Sequence, residues 1–295
     1  MIDVGQTGSR VKDSMSSSLN IDVAFTPGSQ VVKLVEDVLE AVEHRQANTV
    51  MFSLTGLRGL VPNLEPLFEV CQRLTGCQTL AVCDDGLAWS VGSLAGNDGV
   101  SLAVGGGVVA VSRKGEDFFH LDGNGSDFGD SGGAFWLGRK GLRAAIRAIE
   151  GTGRESLLAN AFEKRFGPHD EFVRKYVSQV DIHAVCIEFA PTVLDAAQNK
   201  DRVATDIVGE GADRLSQLVV TAASTAGLLS PGVVVALGGG LMTNSLYRHL
   251  VEDALESQAP GITVIEPRGD ALDGLSHLDR SGRKQIMSLL KWWTV

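Results

Sequence analysis

The sequence lacks any excess of positive charge: 26 Lys and Arg residues stand against 36 Asp and Glu residues, which gives a formal net charge of −10. Nucleic acids and anionic membranes attract proteins through basic patches, so we expect neither as a partner. No apolar run approaches the length of about 18 residues that a transmembrane helix needs. Residues 1–5 lack the basic and apolar regions of a signal peptide, and we therefore expect a cytoplasmic protein.

Cysteine is scarce as well, with four residues in the chain. None forms a C-x-x-C pair, which excludes a zinc ribbon and a thioredoxin-like redox motif. Cys71, Cys77 and Cys83 are each six residues apart, and this spacing matches no common metal site. We therefore expect these three residues and Cys186 to be reduced thiols in the core, where free cysteine is usually found.

A chain of 295 residues, with 44% hydrophobic and 21% charged residues, is long enough for two globular domains. Its first half shows hairpins followed by alternating strands and helices, and the second half repeats this order. Such alternation predicts an α/β fold in two halves. The periodicity predicts helices over 31–42 and 281–293, and apolar strands over 49–54, 79–83, 100–104 and 231–237.

Glycine is abundant, with 35 residues, and it is concentrated in clusters next to apolar runs. The clusters at 3–8, 105–107 and 238–240 can hold the phosphates of a nucleotide, because glycine lets backbone N–H groups approach an anion closely. The first two can also be plain hairpin turns. The third follows a buried strand, at the carboxyl end where α/β folds bind ligands. Neither the P-loop nor the dinucleotide-binding fingerprint is present.

Acidic residues lie next to these clusters. Asp3 ends a short strand before the first cluster, where a carboxylate can hold Mg²⁺ through water. Asp84 and Asp85 follow the strand predicted over 79–83; one of them can cap a helix, and one can deprotonate a substrate hydroxyl during phosphoryl transfer. Asp130 lies in a polar turn that either caps the next helix or binds a ligand's hydroxyl groups.

Taken in order, these segments resemble the BadF/BadG/BcrA/BcrD-type ATPases, and within them the N-acetylglucosamine and glucosamine kinases. The larger group is the actin-like, hexokinase-like and Hsp70-like ATPase superfamily. The resemblance covers nearly the whole chain. It is carried by Asp3-x-Gly5-x-Thr7, Gly56-Leu57-Arg58-Gly59, Asp84-Asp85, Gly105-Gly106-Gly107, Gly129-Asp130-Ser131-Gly132 with Phe135-Trp136-Leu137-Gly138-Arg139, Leu237-Gly238-Gly239-Gly240 and Pro267-Arg268-Gly269-Asp270-Ala271-Leu272-Asp273-Gly274.

The resemblance implies two ribonuclease-H-like domains, 1–102 and 103–280, around a nucleotide cleft, with a final helix over 281–295 that packs back on the first domain. It also implies ATP and Mg²⁺, with Asp3 holding the ion through water and Asp85 taking the proton from a sugar's 6-hydroxyl. The implied phosphate contacts are Gly5, Thr7, Gly105, Gly106 and Gly107, and the adenosine contacts are Gly238, Gly239 and Gly240. The implied sugar contacts, besides Asp85, are Gly123, Asn124, Gly125 and Asp130.

The chain departs from the family pattern at Gly106, where a Thr is usual, at Ser131, where a Glu is usual, and at Asn124, where the N-acetylglucosamine kinases have a Trp. Two alternatives to a sugar kinase therefore stay open: a nucleotide-binding sensor without turnover, and the ATPase activator of a dehydratase. The activators share an iron–sulfur cluster between subunits through cysteines at helix N-termini, and no cysteine here lies in a glycine-rich turn before a helix. We expect a small-molecule sugar acceptor and a homodimer.

Overall fold

The computed structural model describes residues 1–5, 8–13, 18–26, 29–42, 46–179, 181–229, 232–282, 285–286 and 288–295, with the backbone alone over 175–179. The chain divides into two compact units. Unit 1 consists of Met1–Ser101, Val111–His120 and Glu266–Val295, and unit 2 consists of Leu102–Ala110 and Leu121–Ile265. Within the described part of the chain, no helix combines the length and apolar character needed to cross a membrane.

The described residues form eleven strands and ten α-helices. The strands are β1 (Ile2–Val4), β2 (Ser9–Lys12), β3 (Ser18–Ile21), β4 (Thr49–Leu54), β5 (Thr79–Asp84), β6 (Gly99–Val104), β7 (Val108–Lys114), β8 (Asp117–Asp122), β9 (Val234–Gly238), β10 (Thr263–Ile265) and β11 (Leu290–Thr294). The helices are α1 (Val31–Ala41), α2 (Glu65–Thr75), α3 (Asp85–Ser93), α4 (Ala134–Ile149), α5 (Leu157–Phe166), α6 (His169–Gln179), α7 (Ile182–Gln198), α8 (Arg202–Thr225), α9 (Ser245–Gln258) and α10 (Ala271–Arg280).

Unit 1 is built on a six-stranded sheet with the order β11-β5-β4-β1-β2-β3. β1 pairs in parallel with β4, and β4 with β5, while β2, β3 and β11 are antiparallel to their neighbours. All six residues of β5 are buried, as are five of the six in β4, so both strands lie inside the core of unit 1. The parallel strands β1, β4 and β5 place Asp3, Thr55 and Asp84 at or near their carboxyl ends, on the same side of the sheet.

The second sheet has the order β10-β9-β6-β7-β8, with β9 and β10 parallel. Three residues, 105–107, join β6 to β7. A 3₁₀ helix, Gly240–Thr243, follows β9. In unit 2, α4 crosses α7 closely: a Cβ on Gly138 would lie 1.7 Å from the Cys186 carbonyl oxygen. The absence of a side chain at Gly138 therefore lets the backbones of α4 and α7 pack in direct contact.

Several sequence-based predictions need correction. The final helix predicted over 281–295 is wrong, because Leu290–Thr294 form β11, which pairs with β5. The aromatic residues Trp292 and Trp293 suit a strand, and β5 offers an edge that a helix would leave unpaired. The sequence also predicts a strand over 20–25, whereas the strand of this region lies at Ser18–Ile21. Four elements of the structure have no counterpart among the sequence-based predictions: β8, α7, α9 and α10. Of these, α7 carries Pro191 inside it.

Candidate active site

Asp84 and Asp85 lie where β5 ends and α3 begins, and they have different partners. Asp84 is the N-cap of α3: its Oδ1 accepts the Gly86 N–H at 3.0 Å, and its Oδ2 accepts the Gly59 N–H at 2.9 Å. His120 Nε2 lies 3.5 Å from Asp84 Oδ1. Through these two hydrogen bonds, the buried Asp84 side chain joins the turn after β4 to the start of α3. The prediction that one of the two acids caps the helix is confirmed for Asp84.

Asp85 is the first residue of α3 and is half-buried. Its Oδ1 accepts the N–H of Gly86 at 3.0 Å, and its carboxylate also bonds to the side chain of Thr55. Burial raises the pKa of Asp85 to about 7, and the negative charges of Asp84 and Asp3 add to this effect. A carboxylate with a pKa near neutral pH is suited to accept a proton from a hydroxyl group.

Asp3 lies in β1 and is held by two neighbours. Its Oδ1 accepts a hydrogen bond from Ser53 Oγ at 2.8 Å, and its Oδ2 pairs with Arg10 Nη2 at 2.7 Å. Arg10 Nη1 in turn pairs with Asp270 at 2.6 Å. No cluster of three or more His, Cys, Asp or Glu in the described residues could hold a metal ion directly. A carboxylate has about four lone-pair positions, so Asp3 fits a contact to Mg²⁺ through water.

The turn at residues 105–107 presents two N–H groups that point away from α4. The carbonyl oxygen of Gly105 accepts the Ala134 N–H at 2.9 Å, and that of Gly106 accepts the Phe135 N–H at 3.1 Å. In a trans peptide the N–H points opposite to the C=O, so the N–H groups of Gly106 and Gly107 face away from α4. Neither donates to an acceptor among the described residues. Two consecutive free N–H groups form an anion-binding concavity.

The cluster at 238–240 meets the 105–107 turn at the ends of two strands. Gly239 has φ 93° and lies so close to the end of β6 that a Cβ there would be 2.4 Å from the Val104 carbonyl oxygen. Gly239 and Gly240 are exposed, whereas Gly238 is buried. The carboxyl ends of β6 and β9 therefore lie together. Unit 2 brings these two predicted glycine clusters to one place.

A loop at residues 122–130 lies against the same turn. Its carboxylates bind backbone groups: Asp130 Oδ1 accepts the Val108 N–H at 2.7 Å, and Asp122 Oδ1 accepts the Asp130 N–H at 3.0 Å. Gly123 donates its N–H to the Val108 carbonyl oxygen at 2.9 Å. Asn124 is exposed, and Gly125 has φ 81°. The predicted contacts Gly123, Asn124, Gly125 and Asp130 thus belong to one hydrogen-bonded loop.

The predicted site residues are divided between the two units. Asp3 and Asp85 belong to unit 1, whereas the 105–107 turn, the 122–130 loop and the cluster at 238–240 belong to unit 2. Gly5 closes the first turn, with its N–H on the Gly8 carbonyl oxygen at 3.0 Å. Thr7 lies outside the described residues.

Sequence reasoning missed Arg10, Thr55 and Asp122. A signal for Arg10 was present in the first glycine turn. A hairpin closed over residues 5–8 pairs Val4 with Ser9 and therefore Asp3 with Arg10, as the observed register shows. The bonds of Thr55 to Asp85 and of Asp122 to Asp130 depend on tertiary packing and had no comparable signal.

The chain has clear relatives. The sequence profile of the BadF/BadG/BcrA/BcrD ATPase family matches residues 6–275. A crystal structure of a candidate N-acetylglucosamine kinase from Chromobacterium violaceum is 20% identical with a TM-score of 0.74, covering 94% of this chain and 96% of that one. Another, from Porphyromonas gingivalis, is 15% identical with a TM-score of 0.71, covering 96% and 99%.

A more distant likeness is to a ROK family glucokinase from Streptomyces griseus in complex with glucose and AMPPNP. It is 18% identical with a TM-score of 0.57, covering 95% of this chain and 98% of that one. At such identities the likeness shows the fold, and it confirms the predicted α/β fold of the actin-like ATPase class. No curated protein matches this chain.

Proposed function

Because the chain belongs to the BadF/BadG/BcrA/BcrD ATPase family, we propose that it is an ATP-dependent kinase of an amino sugar. The transferred group is the γ-phosphoryl group of ATP, and the acceptor is the 6-hydroxyl of a sugar of the N-acetylglucosamine or glucosamine type. Two of the structures that share the fold are of candidate N-acetylglucosamine kinases and a third is of a glucokinase, which supports a sugar acceptor.

The observation that carries this proposal is the difference between two adjacent acids. Asp84 is committed to Gly59 and Gly86, whereas Asp85 has a pKa raised to about 7 and bonds to the Thr55 side chain. A kinase that phosphorylates a sugar needs one carboxylate poised to remove a hydroxyl proton near neutral pH. Asp84 holds the start of α3 in place, so that Asp85 can serve as this base.

The reaction follows from the roles of these residues. Asp85 accepts the proton of the 6-hydroxyl as that oxygen forms a bond to the γ-phosphorus, and the bond between phosphorus and the bridging oxygen of ADP breaks. The N–H groups of Gly106 and Gly107 donate to phosphate oxygens, and the exposed backbone of Gly239 and Gly240 binds the adenosine. Asp3, whose Oδ2 pairs with Arg10, would hold the Mg²⁺ ion through one of its water molecules. When bound, this ion supplies positive charge to the phosphates. Fixed donors lower the barrier because they need no reorganisation during transfer.

The test is release of ADP from Mg·ATP with glucosamine, N-acetylglucosamine, glucose or no acceptor. We expect ADP release that depends on a sugar, and a loss of about 10²–10⁴-fold in Asp85→Asn, the usual contribution of a general base. Asp117→Asn, a matched change at an exposed carboxylate of unit 1, should keep the wild-type rate.

Other outcomes point to the alternatives. Full activity in Asp85→Asn would remove Asp85 from its role. ADP release without any acceptor would favour the activator of a dehydratase. Nucleotide binding without ADP release would favour a sensor.

A further inference from the structure

The peptide groups of Val108 connect the 105–107 turn to the 122–130 loop. Val108 is the first residue of β7 and follows the turn directly. Its N–H donates to Asp130 Oδ1 at 2.7 Å, and its carbonyl oxygen accepts the Gly123 N–H at 2.9 Å. The loop therefore holds Val108 from both of its ends. Val108 is 3% exposed, so water does not readily replace either partner.

Asp122 holds Asp130 in the position that this bond requires. The Asp130 N–H lies 3.0 Å from Asp122 Oδ1 and 3.2 Å from Oδ2. Both aspartates adopt the left-handed region, with φ 63° at Asp122 and 59° at Asp130. Residues with a Cβ rarely adopt this conformation. Here it allows the Asp122 carboxylate to accept the Asp130 N–H and the Asp130 carboxylate to accept the Val108 N–H.

The 105–107 turn is tightly packed against Asp130 and the start of α4. A Cβ on Gly107 would lie 2.6 Å from Asp130 Oδ1, and a Cβ on Gly133 would lie 3.0 Å from the Gly106 carbonyl oxygen. The turn's carbonyl groups already accept the first N–H groups of α4. The turn is therefore packed between Asp130 on one side and the first residues of α4 on the other, and the contact with Asp130 is one of those that set the direction of the Gly106 and Gly107 N–H groups.

We propose that Asp122 and Asp130 couple the two substrate sites, so that a sugar bound to the 122–130 loop tightens nucleotide binding at the 105–107 turn. This rests on the proposed function and deepens it. The sugar selects the arrangement in which Asp130 holds the Val108 N–H and the two glycine N–H groups converge on phosphate. The coupling is reciprocal, so the nucleotide tightens sugar binding by the same factor. Asp130 acts here as a positioning residue, through Val108.

The experiment compares nucleotide affinity with and without sugar. Calorimetry with Mg·AMPPNP, in the presence and absence of the sugar that the ADP assay identifies, gives the coupling factor without turnover. We expect a factor of about 5–150 in the wild type, the usual range for coupled sites. In Asp130→Ala it should fall to about 1. Asp130→Asn, whose amide oxygen can still accept the Val108 N–H, should keep a larger factor than Asp130→Ala.

Two further measurements separate coupling from folding. Amide hydrogen exchange in the wild type should show that sugar alone slows exchange at Val108, and Asp130→Ala should lose this effect. Asp213→Asn, an exposed carboxylate on α8, is the matched control and should keep the wild-type coupling factor. If Asp130→Ala does not fold, Asp122→Gly decides, because it removes both oxygens that hold the Asp130 N–H, and glycine tolerates the φ of 63° at this position. We expect its coupling factor to fall toward 1, and a wild-type factor would overturn the inference.

The outcomes distinguish this inference from the proposed function. A wild-type coupling factor that persists in Asp130→Ala, with sugar-dependent ADP release intact, would overturn the inference alone. A wild-type protein that releases no ADP with any sugar would overturn the proposed function and the inference with it.

Discussion

At the scale of single residues, the carboxylates of this protein are distinguished by their partners rather than by their sequence neighbours. Asp84 accepts two backbone N–H groups, Asp3 pairs with Arg10, and Asp130 accepts the Val108 N–H. Asp85 combines burial, two nearby negative charges and a bond to Thr55. The chemistry proposed for Asp85 follows from this environment.

Asp85 should lower the stability of the fold as the pH rises. Its pKa is about 7 in the folded protein against 3.8 for a free side chain. Between these values the folded state binds more protons than the unfolded state, so the free energy of unfolding falls as the pH rises through this window. Asp85→Asn removes the charge, and we expect its Tm to exceed that of the wild type by more at pH 8 than at pH 5. A Tm difference that is the same at both values would contradict the raised pKa.

Thr55 should set the pH at which activity begins. Its hydrogen bond to Asp85 favours the ionised carboxylate and lowers the pKa against the effect of burial. Thr55→Val removes the bond, so we expect the acidic limb of the kcat/KM profile to move to higher pH, while Thr55→Ser keeps it near the wild-type position. The measurement is the sugar-dependent rate across pH 5–9. An unshifted limb in Thr55→Val would show that the bond does not tune the base.

At the scale of elements, close backbone approach is what positions the site. α3, which begins with Asp85, crosses α10 at two glycines: a Cβ on Gly92 would lie 1.8 Å from the Asp270 carbonyl oxygen, and one on Gly274 would lie 1.8 Å from that of Ala88. Asp270 caps α10 and also pairs with Arg10, which holds Asp3. The crossing thus links the helix of the proposed base to the carboxylate proposed for the metal.

Gly274→Ala should force α10 away from α3. We expect a loss of about 1–3 kcal/mol or more of unfolding free energy, as for overpacked cores, together with reduced activity. Gly209→Ala is the matched control, because this helical glycine on α8 has nothing within 4 Å of an added Cβ. It should stabilise the protein by up to about 1 kcal/mol through helix propensity. Chemical denaturation measures both, and a neutral Gly274→Ala would show that the crossing can relax.

The two glycines after β9 should respond differently to alanine. Gly239→Ala places a Cβ 2.4 Å from the Val104 carbonyl oxygen and strains a positive φ, so we expect a fall in Tm and weaker nucleotide binding. At Gly240 an added Cβ meets nothing within 4 Å. Gly240→Ala should therefore keep the wild-type Tm and weaken only nucleotide binding, because its methyl group would fill space that we propose the adenosine occupies. Calorimetry with Mg·AMPPNP and thermal unfolding separate the two effects. Wild-type affinity in Gly240→Ala would place the adenosine elsewhere.

At the scale of the whole molecule, the four cysteines are free and buried, as the sequence predicts. Cys71 donates to the Cys77 sulfur, which lowers the pKa of Cys77 to about 7, yet both thiols are inaccessible. We expect no thiol to react with a disulfide reagent within minutes in the native protein, and all four to react in denaturant. Rapid labelling of the native protein would show that a sulfur is exposed, as a cysteine ligand to a shared cluster would be.

The elements that the sequence predicted well are those whose burial can be read from local pattern. β4 runs over Thr49–Leu54 as predicted, and α1 lies within a residue of its predicted end, because each shows a strong apolar run or a 3.6-residue period. β11 was mistaken for a helix because its role depends on the open edge of β5, more than 200 residues earlier in the chain. No helix was predicted over α7, which contains Pro191. The burial of its apolar residues offsets the free-energy cost of a proline inside a helix.

The α/β class, the family, the acidic charge and the positions of the glycine clusters follow from the amino-acid sequence, because each is a property of residue type, order or spacing. Three features became visible in the folded chain alone: the different partners of Asp84 and Asp85, the link of Asp3 to Asp270 through Arg10, and the link of the 105–107 turn to the 122–130 loop through Val108. They could not be predicted because a pKa or a hydrogen bond depends on burial and on partners that are distant in sequence and meet when the chain folds.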